Sequence, residues 1–154
     1  MSKHVTATDI EALLKTKYSG EAWAFLHQVR NQTGYAGYIR TADAIAMGLW
    51  PSRGLHLHGF EIKINRGDWL SELKNPIKAE EIGQFCDFWW IVASDGIVKL
   101  DEVPALWGFM EIKNGRLIVI KEAILKECKE VNKKFLAAIL RKAQDTIVPE
   151  AKLL

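Results

Sequence analysis

The chain has 154 residues, 49% hydrophobic and 26% charged, which suits one packed domain and argues against a disordered chain. A formal net charge of only +2 makes no case for nucleic-acid binding by overall attraction, yet it leaves room for a local basic face. No uncharged apolar run approaches the roughly 18 residues that a membrane span needs, so no membrane partner is expected.

Thr8 is a predicted N-cap, with Glu11 closing a capping box, for a first helix through "TATDIEALLKTKY". Ile10, Leu13 and Leu14 give that helix one apolar side. After Ser19-Gly20, Ala22, Phe25, Leu26 and Val29 recur at helical spacing and predict a second helix through "EAWAFLHQVRNQTG", stopped at Gly34. "YAGYIRTADAIAMGLW" predicts one or two strands and "PSRG" a loop. "LHLHGFEIKIN" predicts a longer strand, with Phe60, Ile62 and Ile64 on one face and Glu61 and Lys63 on the other.

"RGDWLSELKNPIKAEEIGQFCD" returns to helix, with Asn75 as N-cap before Pro76 at a first helical position. "FWWIVAS" fits a buried strand, and Asp95-Gly96 signals a turn. "WGFMEIKNGRLIVI" is a predicted hairpin about Asn114-Gly115. From Lys121 a Lys-rich helical tail is expected, striped by Val131, Phe135, Ala138 and Ile139. The order of elements predicts a single mixed α/β domain over residues 1–154. Cys86 and Cys128 belong to no CxxC, which disfavours a zinc site. With no signal-like apolar stretch in "MSKHVTATDIEALL", a soluble cytoplasmic protein with reduced thiols is expected.

Two similar words stand out, "GFEIKIN" at 59–65 and "GFMEIKN" at 108–114. The hairpin accounts for the second: Ile112 is expected to face Leu117 and Met110 to face Val119, leaving Glu111 and Lys113 in solvent. The first differs in what precedes it. Asp43 sits inside the apolar "TADAIAMG", where an acid is costly unless paired or bound to a cation. Two neighbouring strands would bring Asp43 and Glu61 together, with Lys63 one strand repeat away. Such carboxylates repel, and a hard divalent cation relieves the repulsion. A metal there polarises a phosphoryl oxygen and acidifies water, while a Lys stabilises the developing charge.

Asp, a loop, then Glu-x-Lys on the next strand resembles the PD-(D/E)XK, or restriction-endonuclease-like, nuclease superfamily. Residues 40–93 resemble in particular a bacterial and phage branch similar to mutagenesis-associated DNA-repair proteins. The matching pieces are Arg40/Asp43, Gly59 to Lys63, Arg66/Asp68/Trp69, Pro76/Lys78 and Cys86/Asp87, followed by an aromatic strand and the "LWG" at Leu106 to Gly108. Ala42 stands where the superfamily's eponymous proline would be.

The resemblance implies a restriction-endonuclease-like mixed central sheet flanked by helices, with a motif core at about 20–93 and a C-terminal hairpin and helix. It implies a Mg²⁺- or Mn²⁺-dependent nuclease acting on DNA in repair, recombination or phage DNA metabolism. Asp43, Glu61 and the Ile62 carbonyl would be metal ligands, and Lys63 the catalytic lysine. Glu21 is the candidate for the acid of the first core helix, with an ordinary first-turn acid as the equal alternative. A binding module that keeps the fold without cutting, or a subunit active only in a complex, is the rival. A homodimer or a repair or phage protein partner stays open.

Arg40, Arg66 and Lys78 lie in or beside the matched motifs and are candidates for phosphate contacts, against solvated or ion-paired surface charges. His56 and His58 are half a metal site, better read as strand residues near the site mouth. Trp69, Trp89 and Trp90 could stack on bases, although Trp89 and Trp90 sit in an apolar strand that suits a core. Lys126, Lys129, Lys133 and Lys134 alternate with Glu122, Glu127 and Glu130, as on a solvated helix face.

Overall fold

A computed structural model describes residues 4–34, 37, 39–75 and 77–151, the side chains at 77–79 and 146–151 excepted. Six strands form one mixed sheet in sequence order: β1 (Trp23–Arg30), β2 (Thr41–Gly48), β3 (Leu57–Lys63), β4 (Phe88–Ala93), β5 (Gly108–Lys113) and β6 (Arg116–Lys121). β3, β4 and β5 run parallel, and the remaining neighbours are antiparallel. The expected mixed α/β sheet flanked by helices, with a C-terminal hairpin and helix, is therefore what the chain forms.

The helix α1 (Ala7–Lys17) is capped two residues earlier than Thr8 suggested. Thr6 accepts from Asp9 N–H and Asp9 returns a carboxylate to Thr6 N–H, completing the box. Ile10 and Leu14 pack into the core that covers one face of the sheet, against Phe60, Trp90, Val92 and Met110.

The predicted second helix is instead β1. Trp23 and Phe25 pack towards α1, while Leu26 and Val29 share the cluster on the opposite face. Gln28 lies between those two at φ 52°, and the β1–β2 ladder skips the Gln28 and Asp43 pair. Leu26 and Val29, three apart, therefore meet on one side, which imitates the spacing of a helix. Burial on both faces removed the alternation that would have marked a strand.

The hairpin is as expected. Ile112 pairs with Leu117 and Met110 with Val119, around Asn114 and Gly115 at φ 51° and 72°. Between β3 and β4 the helical stretch divides into α2 (Arg66–Lys74) and α3 (Ile77–Gly83), which cross over to the parallel neighbour. Asn75, expected as an N-cap before Pro76, ends α2, its N–H donating to Glu72 O. Asn65 caps α2 instead, accepting from Asp68 N–H. Pro76 lies outside the described residues.

After β6 the chain is not helical until Lys133. Residues 122–132 form a strap held by N–H bonds from Ile124 to Leu106 O, Lys126 to Asp87 O and Lys129 to Gln84 O. Asn132 then caps α4 (Lys133–Ala151) through Phe135 N–H. Phe135 and Ala138 are buried as the stripe predicted, whereas Val131 belongs to the strap and is exposed.

Candidate active site

Each word begins with a glycine that receives a tryptophan of β4. Gly59 pairs with Trp89, and a Cβ there would collide with the Trp89 ring. Gly108 stands in the same relation to Trp90 on the other face of the sheet. Trp89 and Trp90 are accordingly core residues, as is Trp69 on α2, whose indole N–H donates to Glu102. None of the three is exposed for base stacking.

Two residues beyond Gly59, Glu61 pairs with Ile91 on the centre strand, and Lys63 pairs with Ala93. Asp43 approaches from β2, where the β2–β3 ladder has ended at Ala44 and Phe60. The Ile62 N–H donates to Asp43 Oδ2 at 2.7 Å, so a backbone bond orients this carboxylate. Asp43 and Glu61 lie close enough to share a hydrogen bond, with Lys63 near enough to act on Glu61.

Glu61 holds its proton well above the ordinary carboxyl range. Burial is the largest cause, followed by the negative charges of Asp43 and Glu72. Lys63 opposes this, and a hydrogen bond to the Asp43 side chain adds to it.

Sequence reasoning missed Glu72. It projects from α2 so that Lys63 Nζ lies 3.4 Å from its Oε2, with the two side chains only 12% and 7% exposed. Its signal was present: Glu72 follows Trp69 by three residues, which puts both on one helix face, and Trp69 is wholly buried. Glu61 thus stands among two other carboxyl groups and one ammonium in a partly desolvated place. Such a group wants either protons or a cation.

The donor set fits a small hard cation. Among the described residues no three His, Cys, Asp or Glu side chains form a cage for one ion. Mg²⁺ does not require one: it is usually held by one or two carboxylates and retains water or takes phosphate oxygens.

Other expected residues lie elsewhere. Glu21 is exposed in the turn before β1 and sits on no helix, so it is not the acid of a core helix. Glu11 on α1 pairs with His27 at 3.2 Å instead. Arg40 precedes β2, and its N–H donates to Asn31 Oδ1. Arg66 makes two bonds of 2.8 and 2.7 Å to the Glu102 carboxylate and a third to Ile97 O, which ties α2 to the loop after β4. Lys78 lies on α3, and its side chain is outside the described residues.

His58 is not at a site mouth. It packs among Tyr18, Trp23, Phe60, Phe88 and Trp90 on the opposite face and accepts from Trp90 Nε1. Burial, then His56, lowers its pKa to about 4.

The second word also departs from expectation. Glu111 is only 6% exposed, because the loop after β4 covers it: Gly96 N–H donates to its Oε2 at 3.2 Å. Lys113, at the strand end, is exposed and 3.3 Å from Glu111 Oε1.

No protein-family model matches the sequence, and no curated protein matches it. Among solved structures, the chain is similar to a protein of unknown function from Silicibacter pomeroyi, with a TM-score of 0.59 at 16% identity over 94% of this chain and 90% of that one. That likeness speaks to the fold alone. No helix among the described residues is long and apolar enough to cross a membrane.

Proposed function

We propose that this chain is a divalent-metal-dependent nuclease that hydrolyses phosphodiester bonds in DNA, in repair, recombination or phage DNA metabolism. The observation that carries the reading is the meeting of the Asp43 and Glu61 carboxyls across β2 and β3, with Lys63 on the same strand as Glu61. A protein gains nothing in stability by pressing two acids together in a partly buried place, and a cation supplies the missing reason.

Asp43 and Glu61 would hold Mg²⁺ or Mn²⁺, with the Ile62 carbonyl beside them as the superfamily resemblance implies. When bound, the ion would polarise a phosphoryl oxygen and acidify a water. The protein's own groups do the rest. The Ile62 N–H fixes Asp43 in orientation, so that its second oxygen is presented rather than free to rotate. Glu61 gives up its proton when positive charge arrives. Glu72 is a positioning residue: it holds the Lys63 ammonium from the α2 side. Lys63 is then placed to stabilise charge on the attacked phosphate.

The test is hydrolysis of a panel of DNA structures (single strand, duplex, flap and junction) by purified protein with Mg²⁺, with Ca²⁺ and with excess chelator. Cleavage with Mg²⁺, abolished by chelator and weak with Ca²⁺, is expected. Cleavage that survives excess chelator would refute the mechanism, and no cleavage of any member would leave the non-cutting alternative in its place.

A further inference from the structure

The irregular pair in the β1–β2 ladder places Gln28 directly across from Asp43. The flanking pairs, His27 with Ala44 and Val29 with Ala42, leave this one position unpaired. A left-handed φ of 52° at a glutamine is costly and persists only when the surroundings impose it; such strain concentrates at functional sites.

Gln28 also lines a cleft of about 340 Å³ between the end of β1 and α4, with Arg30, Thr33, Arg141, Lys142 and Asp145 among the other walls. Three cations against one acid give this cleft a positive lining. α4 reaches it by packing along one face of the sheet. Phe135 stacks on Phe85, before β4 begins, and Ala138, in the next turn, is a wall of the cleft beside Gln28. Arg141 and Lys142 therefore stand at the end of the sheet where β1 finishes and β2 starts, the end that holds Asp43. Neighbouring strands are about 4.8 Å apart, so the positive cleft begins roughly one strand from the acidic group.

We infer that the β1–α4 cleft is a phosphodiester subsite, in which Arg141 and Lys142 bind backbone phosphates of a nucleic-acid strand whose scissile phosphate lies at Asp43 and Glu61. The inference rests on the nuclease reading and deepens it by giving the strand a direction, across β1 towards α4. The charge arrangement supports this: an acidic centre repels a polyanion unless neighbouring cations hold it in register. Gln28, between the two, offers an amide that can bond either a phosphate oxygen or a sugar.

The discriminating experiment uses the double variant Arg141→Gln/Lys142→Gln, exposed or half-buried helix positions whose change leaves the buried face of α4 intact. Affinity for a labelled oligonucleotide is measured with Ca²⁺ over a series of salt concentrations. Hydrolysis of bis(4-nitrophenyl) phosphate, a diester with no neighbouring phosphate, is measured with Mg²⁺. Loss of two phosphate contacts should weaken DNA binding about tenfold and flatten the slope of log affinity against log salt by about two. Hydrolysis of the small diester should be unchanged. Unchanged DNA affinity and salt slope, with the small diester still hydrolysed, overturns the subsite and leaves the nuclease standing. Equal loss of both activities also overturns it, since the residues would then act on the centre itself. A wild-type protein that neither binds the oligonucleotide nor hydrolyses the small diester brings down the nuclease reading and the subsite together.

Discussion

The words at 59–65 and 108–114 lie on strands flanking β4, one on each side, and both open with a glycine beneath a tryptophan. Their acids even reach the same face of the sheet: Lys63 and Glu111 both pair with Ala93. What differs is what each glutamate meets. Glu111 meets a backbone N–H and the exposed Lys113, a donor and an opposite charge, which suit a carboxylate group. Glu61 meets Asp43 and the field of Glu72, which do not. The comparison teaches that a Glu-x-Lys pattern on a strand fixes only a face. Chemistry depends on whether a second, unwelcome charge converges on it.

The largest contrast should appear in activity. Lys63→Ala should lower Mg²⁺-dependent DNA cleavage by roughly 10²–10³-fold, the scale of losing one electrostatic stabiliser, while Lys113→Ala stays near wild type in the same assay. If Lys113→Ala is the defective variant, the functional word is the second one.

Stability should separate the two lysine partners next. Glu72→Ala removes the hydrogen-bond partner of the Lys63 ammonium but leaves Glu61 beside it, and should cost about 1–3 kcal/mol in urea unfolding. Lys113→Ala removes an exposed partner and should cost about 0–1 kcal/mol. Equal losses would mean that the Lys63–Glu72 pair is as solvated as the surface one.

The glycines provide the control in which the words should agree. Gly59→Ala and Gly108→Ala each force a Cβ against a tryptophan ring and should each destabilise by about 1–3 kcal/mol. A large cost at one and none at the other would show that the words do not share this structural role.

The smallest effect concerns protons. A carboxyl whose folded pKa is raised above its ordinary 4.5 carries no penalty well below that pH; the penalty grows as pH rises towards the folded value. In chelator, Glu61→Gln should therefore melt at an increasingly higher temperature than wild type as pH climbs above 4.5. His58 runs in the opposite sense. Its lowered pKa means that wild type loses stability as pH falls from 6.5 towards about 4, and His58→Phe should lessen that loss. A pH-independent difference in either variant would remove the cited cause.

Much of this was legible in the sequence. Alternation gave β3 its two faces, Asn114-Gly115 gave the hairpin and its register, and an acid in an apolar strand pointed to Asp43. β1 was misread because its two covered faces and the Gln28 irregularity produce helical spacing. The tail was misread because a charged strap shows no periodicity of its own and is held by backbone bonds to residues far away in sequence. Glu111 looked solvated because no local pattern announces that the Gly96 loop will fold over it. Glu72 was missed for the converse reason. A glutamate in a polar helix looks like surface until Trp69 fixes which side is inside.

The central claim is that Asp43 and Glu61 meet in order to hold a divalent cation, and a thermal melt with and without Mg²⁺ tests it most directly. The account predicts that Mg²⁺ raises the melting temperature of the wild type, because the ion binds the folded site and not the unfolded chain. It predicts that Asp43→Asn, with one charge fewer, loses most of that rise while being no less stable without metal. A Mg²⁺ shift that persists in full in Asp43→Asn, or no shift in the wild type at millimolar Mg²⁺, would contradict it.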